Sequence, residues 1–209
     1  CDGMSAVISK SGINPSDIKG IGISGQMHGL VMLDKSGAVL RKSIIWCDQR
    51  TEKECEQITS FVGAERLISI TANPALTGFT ASKILWVRNH EPHIYEKCAH
   101  ILLPKDYVRY RLTGEFATEV SDASGMQLLD VPGRKWSDEV LSKLQIDKSL
   151  LGTVYESPEI TGRITKEAAE LTKVPEGTPV AGGAGDNAAA AVGTGTVTDG
   201  TAFTTIGTS

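Results

Sequence analysis

A chain of 209 residues can bury one full core, or one large domain and part of another. With 40 % hydrophobic residues, 22 % charged residues and a formal net charge of −4, the composition is that of an ordinary globular protein, without the basic surplus that binds nucleic acid. No apolar run approaches a membrane span and no cleavable signal pattern opens the sequence, so neither nucleic acid nor a membrane is an expected partner.

Alternation of Ile with Gly or Ser from Ile18 to Ser24 predicts a strand. Gly25-Gln26-Met27-His28-Gly29 follows, with amide, thioether and imidazole groups between two glycines that let a ligand come close. Such a loop suits a polyhydroxylated molecule, with Gln26 and His28 offering hydrogen bonds and Met27 an apolar wall; a lone His equally suits a structural role. Gly29 to Leu33 and Ala38 to Leu40 flank Asp34-Lys35-Ser36-Gly37, which predicts a hairpin. Trp46, Asp48 and Arg50 come after an apolar strand; a second binding loop and a core-edge Trp beside a surface Asp–Arg pair are both open readings.

Thr51 to Leu67, with apolar positions at Cys55, Ile58, Phe61 and Val62, predicts an amphipathic helix. A second helix starts at Thr80, buries Ile84 and Leu85 and ends before Pro92. Ser137 is placed to cap a third, with Val140, Leu141 and Leu144 on one face, and Thr165 a fourth carrying Ala168 and Leu171. A strand at Pro179 to Ala181, a helix over Ala188 to Ala191 and a strand at Thr201 to Ile206 complete an alternation that predicts an α/β domain.

Of three further chemical patterns the first is a decoy, and the other two have plainer readings. Gly20, Gly22 and Gly25 fit G-x-G-x-x-G, but within the strand and with no crossover helix after it. His90, His93, Cys98 and His100 match no common zinc spacing, and Pro92 interrupts them, so no metal site is expected. Cys1, Cys47, Cys55 and Cys98 lack the density of a disulfide scaffold; free thiols and a cytoplasmic location are expected.

The most informative stretch is "VAGGAGDNAAAAVG", Val180 to Gly193. It sets one acid, Asp186, on a glycine turn before an alanine helix, where a catalytic carboxylate would face free N–H groups and a positive dipole end. A helix cap is the plainer role for the same residue.

"GFTASKILWVRNH" (Gly78 to His90), "GISGQMHG", "IIWCDQR", "LLPKDYVRYRLTGE" and "VAGGAGDNAAAAVG" together resemble, in order, the corresponding segments of the FGGY family of carbohydrate kinases, most closely those of its xylulokinases. Glycerol kinases carry an Asn-Gln-Arg-Glu type sequence where this chain has Gln26-Met27-His28-Gly29. The resemblance implies an actin-like, ribonuclease H-like ATPase fold and ATP-dependent phosphorylation of D-xylulose to D-xylulose 5-phosphate. Another ketose, alditol or sugar acid, or a non-catalytic sugar-binding module, are the alternatives. By position, Asp186 would be the general base, and Gln26, Met27, His28, Trp46, Asp48 and Asn187 would line the sugar pocket. Gly207, Thr208 and Ser209 would meet the nucleotide phosphates, with ATP and Mg2+ held mainly by parts outside the chain. Lys83 is a weaker candidate that a structural salt bridge would also explain. Residues 1–195 are expected to be most of the N-terminal sugar-binding domain, truncated at its start without its leading strands, and 196–209 the start of a nucleotide-binding domain. Activity and a homodimer are expectations for the intact parent.

Overall fold

Two segments far apart in the sequence lie side by side and set up everything that follows. In the computed structural model, which describes residues 1–204, strand β1 (Ser24–Gly25) runs parallel to β10 (Ala184–Gly185), pairing Ser24 with Ala184 and Gly25 with Gly185. The contact begins earlier. Ile21 bridges Val180 in the strand β9 (Pro179–Ala181), and Ala181 N–H donates to Ile21 O at 2.8 Å. The predicted strand over Ile18–Ser24 is therefore extended backbone, regular only at its end.

Between these segments the chain is mixed α/β. Strand β2 (Val31–Leu33) pairs antiparallel with β3 (His100–Leu102), and Leu33 bridges Val39, which closes the predicted hairpin around Asp34 to Gly37. Strand β4 (Ala117–Glu119) runs parallel to β7 (Thr153–Tyr155). Strands β5 (Leu129–Asp130) and β6 (Lys135–Trp136) form a short antiparallel pair, as do β8 (Ile160–Arg163) and β9.

The helices are α1 (Asp2–Ser11), α2 (Glu52–Val62), α3 (Ala64–Thr71), α4 (Thr80–His90), α5 (Pro92–Tyr95) and α6 (Pro104–Thr113), followed by α7 (Val120–Ala123), α8 (Asp138–Leu144), α9 (Lys166–Thr172) and α10 (Asp186–Gly193). The caps act as the sequence indicates. Ser137 Oγ accepts from Val140 N–H and Thr165 Oγ1 from Ala168 N–H, each at 3.2 Å, answering donors that a helix start leaves free.

Three expectations need correction. The single helix from Thr51 to Leu67 is two, because Gly63 adopts φ 91°, which no right-handed helix contains, and ends α2 while heading α3. Phe61 and Leu171, assigned to apolar faces, point to solvent, whereas Ile58, Val62 and Ala168 are buried. Thr201 to Thr204 form no strand; the remainder of that expected strand, and Gly207, Thr208 and Ser209, lie outside the described residues.

A main core gathers Leu30, Met32, Ile58, Ile84, Leu85 and Ile101. A second, holding Ile8, Leu112, Ala168 and Val180, packs α1 and α9 behind the β9 strand. Helix α4 lies in the main core and buries seven of its residues, among them Lys83. No helix of the described residues is long and apolar enough to cross a membrane.

Candidate active site

The β1–β10 register delivers Gln26-Met27-His28 and Asp186-Asn187 from the ends of neighbouring parallel strands. Gln26, Asp186 and Asn187 are exposed, while Met27 and His28 are half-buried. A Cβ on Gly185 would lie 2.8 Å from Met27 Cγ, so Met27 packs on the turn that leads into Asp186. Burial lowers the His28 pKa, and the Asp186 charge is one of the smaller influences that oppose it.

His28 is held in an unusual conformation. Its φ is 68°, and Gly29 N–H donates to Met27 O at 2.9 Å, closing a three-residue turn of a rare and strained kind. Four contacts restrain it. His28 Nδ1 lies 2.9 Å from Gly125 O, the ring meets Phe79 edge-on at 4.6 Å, and His28 O accepts from Lys83 Nζ at 2.9 Å and Thr80 Oγ1 at 3.2 Å. Because a carbonyl can only accept, Nδ1 must carry the hydrogen, which leaves Nε2 as an acceptor. The lowered pKa keeps the ring neutral near pH 7.

Lys83 forms no ion pair among the described residues, so the structural salt bridge open to it in the sequence is replaced by something else. Its ammonium donates to the carbonyls of His28 and Gly78, tying the first turn of α4 to the His28 loop. Burial lowers its pKa to about 8, an effect the nearby Asp48 opposes.

Asp186 is the first residue of α10, with Gly185 as N-cap. Its Oδ1 accepts from Asn187 N–H at 3.0 Å, and it has no ion pair among the described residues. The preceding turn needs its glycines. Gly183 has φ 76°, and a Cβ there would sit 2.0 Å from Ile23 O.

Trp46 and Asp48 approach the same region through different contacts. The Trp46 carbonyl lies against Gly78, where a Cβ would come within 3.1 Å of it. Arg50 grips Asp48 through Nε at 2.8 Å and a terminal nitrogen at 2.7 Å, and this hydrogen bonding lowers the Asp48 pKa. Arg50 in turn lies 4.7 Å over the Trp86 ring. Two histidines of the His90-to-His100 pattern stack on aromatic rings, His90 on Trp86 and His100 on Phe116.

Beneath the Asp186 turn lies a cluster that the sequence did not disclose. Lys105, Asp106 and Arg109 of α6, Glu119 of β4 and Asp122 of α7 are all buried. Lys105 Nζ is 2.8 Å from Asp106, 3.5 Å from Glu119 and 3.6 Å from Asp122, and Arg109 is 2.6 Å from Asp106. Both cations also donate to Gly182 O, Lys105 at 3.3 Å and Arg109 at 2.8 Å, clamping the glycine turn from below. Charges in a sequence read first as a solvated face; the available signal is that Lys105, Asp106 and Arg109 share one helix with the buried Leu112.

Two cations face three carboxylates there, and among the described residues Asp106 Oδ2 and both Asp122 carboxylate oxygens have no hydrogen-bond partner. Burial, reinforced by the Asp106 charge, raises the Asp122 pKa to about 8. The folded protein thus keeps a proton that the unfolded chain gives up once pH passes the usual carboxylate range. Stability from this group is complete below about pH 4 and is lost as pH rises towards 8, with a limiting slope of about 1.4 kcal/mol per pH unit. Asp122→Asn removes the titration, so thermal melts of variant and wild type should diverge in the variant's favour from pH 5 to pH 8. Melting temperatures that differ by a constant amount across that range would place an ionised Asp122 in the fold.

Comparison with known proteins places this arrangement in a family. Residues 1–193 match the FGGY family of carbohydrate kinases, N-terminal domain. The chain is 45 % identical over 192 residues to a xylulose kinase of Klebsiella pneumoniae, covering 92 % of this chain and 39 % of that protein. It is 41 % identical over 208 residues to a xylulose kinase of Bacillus subtilis, covering 100 % of this chain and 42 % of the relative. The crystal structure of xylulose kinase from Rhodospirillum rubrum superposes with a TM-score of 0.88 at 29 % identity, over 94 % of this chain and 40 % of that one. The chain therefore spans about two fifths of the length of the relatives it matches. Matched along nearly its whole length by the family's first domain, with the mixed α/β, actin-like fold of those kinases, the chain belongs to the FGGY family of carbohydrate kinases.

Proposed function

We propose that the full-length protein containing this chain transfers the γ-phosphoryl group of Mg-ATP to D-xylulose, forming D-xylulose 5-phosphate and ADP. The observation that carries this reading is the convergence of Gln26-Met27-His28 with Asp186-Asn187 at the ends of paired strands in a chain so similar to xylulose kinases. In this reading residues 1–195 are the sugar half and 196–209 begin the nucleotide half. ATP is the phosphoryl donor used by sugar kinases of this family, and Mg2+ is assigned to the nucleotide. Four unbridged thiols suit a cytoplasmic enzyme.

Asp186 takes the role of general base. Its exposed carboxylate has no competing cation among the described residues, so it is free to accept the proton of the attacking sugar hydroxyl. As that oxygen bonds to the γ-phosphorus, the bond to the ADP oxygen breaks and the proton passes to Asp186. Phosphoryl transfer asks mainly for positioning and late proton acceptance, which an ordinary carboxylate supplies. His28 Nε2, fixed as an acceptor by the Nδ1 contact to Gly125 O, receives a hydrogen bond from a sugar hydroxyl. Asn187 both donates and accepts, and Met27 supplies an apolar wall. The same reading assigns Trp46 and Asp48 to the edge of the sugar pocket; Asp48 is paired there with Arg50.

Steady-state assays of the full-length protein with Mg-ATP and a panel of ketoses, alditols and sugar acids test the substrate. D-xylulose should give the highest kcat/KM. In the same assays His28→Ala should raise the KM for the sugar by about tenfold, as expected for a lost hydrogen bond of roughly 1 to 3 kcal/mol, while the KM for ATP hardly moves. A better sugar acid or alditol would reassign the substrate, and an equal rise in both KM values would make His28 structural.

A further inference from the structure

We propose that Ser121 is a positioning residue that holds the Asp186 turn in register with the His28 loop; this rests on the reading of Asp186 as the base. The segment from Glu119 to Gly125 touches both halves of the site. At one end Ser121 Oγ accepts from Gly185 N–H at 3.1 Å, immediately before Asp186. Near the other, Gly125 O takes the His28 Nδ1 hydrogen at 2.9 Å.

Ser121 has little freedom to do otherwise. Its hydroxyl hydrogen is directed to Glu119 Oε1 at 2.9 Å, which leaves an oxygen lone pair for the Gly185 amide. Glu119 is itself fixed, since its buried carboxylate also accepts from Ser121 N–H at 2.8 Å, Asp122 N–H at 2.9 Å and Ser157 Oγ at 2.7 Å, with Lys105 Nζ 3.5 Å away. A buried ion cluster is thereby linked through one hydroxyl to the backbone of the residue that precedes the base. Gly185 is the N-cap of α10, so a shift at its amide moves the start of that helix and the Asp186 carboxylate with it. Misplacement of a reacting group by about 1 Å costs up to about a hundredfold in rate, whereas substrate affinity depends on other contacts.

The test is made on the full-length protein with Ser121→Ala, Ser121→Thr and Asp186→Asn. For Ser121→Ala, kcat should fall by about tenfold or more with both KM values within about twofold. Amide hydrogen exchange in the peptide covering Gly182 to Asn187 should quicken by about tenfold as Gly185 N–H loses its acceptor. Ser121→Thr, which keeps the hydroxyl, should recover most of both. Should Ser121→Ala not fold, Ser121→Cys, of similar shape but a weak acceptor, is read in the same way. A loss of kcat without faster exchange, faster exchange without a loss of kcat, or neither, overturns the proposal while Asp186→Asn remains inactive and the kinase reading stands. If Asp186→Asn itself turns over normally, the base assignment fails and the role of Ser121 falls with it, a result distinct from failure of Ser121→Ala alone.

Discussion

Asp186→Asn in the full-length protein is expected to lower kcat by on the order of a thousandfold or more while sugar binding survives. The substitution is nearly isosteric and leaves the turn intact, because the native carboxylate is exposed, makes no ion pair among the described residues, and its one bond, from Asn187 N–H, suits an amide oxygen as well. Only the capacity to take a proton is removed. Steady-state kinetics with D-xylulose and calorimetric titration of the sugar separate the two quantities. A kcat within tenfold of wild type would take Asp186 out of the base role, and a parallel loss of sugar affinity would make it a binding residue.

Lys105→Met is expected to cost about 3 to 5 kcal/mol of stability, the usual penalty for stripping one partner from a buried ion pair. Lys105 is 2 % exposed and stands within 3.6 Å of three carboxylates, and Met fills its volume without its charge. Asp106, Glu119 and Asp122 would then share Arg109 alone. The carboxylates can relieve this by binding protons, so the loss should be larger at pH 8 than at pH 5. Denaturant unfolding at both pH values measures it. A loss under 1 kcal/mol, or one independent of pH, would mean that the cluster is hydrated and contributes little.

The parts of this molecule legible in its sequence are those set by short-range chemistry. Ser137 and Thr165 cap the helices their positions announce, and α4 runs from Thr80 to His90 as its pattern indicates. The Asp186 turn is recognisable because Gly183 and Gly185 occupy positions that no side chain can share with Ile23 and Met27. Gly63 was misread because a glycine inside an amphipathic pattern costs a helix only about 1 kcal/mol, and nothing local says that its φ will be 91°. The Lys105 cluster and the Ser121 link were invisible for a different reason. Whether a charge is solvated or clamps a distant turn is decided by tertiary pairing, and only the fold brings Glu119 and Gly182 together. The sugar-binding role proposed for Gln26, Met27 and His28 rests more on the family resemblance than on any local signal.

The pairing of β1 with β10 acts as a clasp on the chain. Its two halves are separated by most of the sequence, so closing it costs the loop entropy of everything between and delivers few backbone bonds in return. On the proposed function, a sugar touching both sides of the seam would bind the closed form and, by mass action, add its own binding energy to the closure. The substrate would then also serve as a staple across this joint.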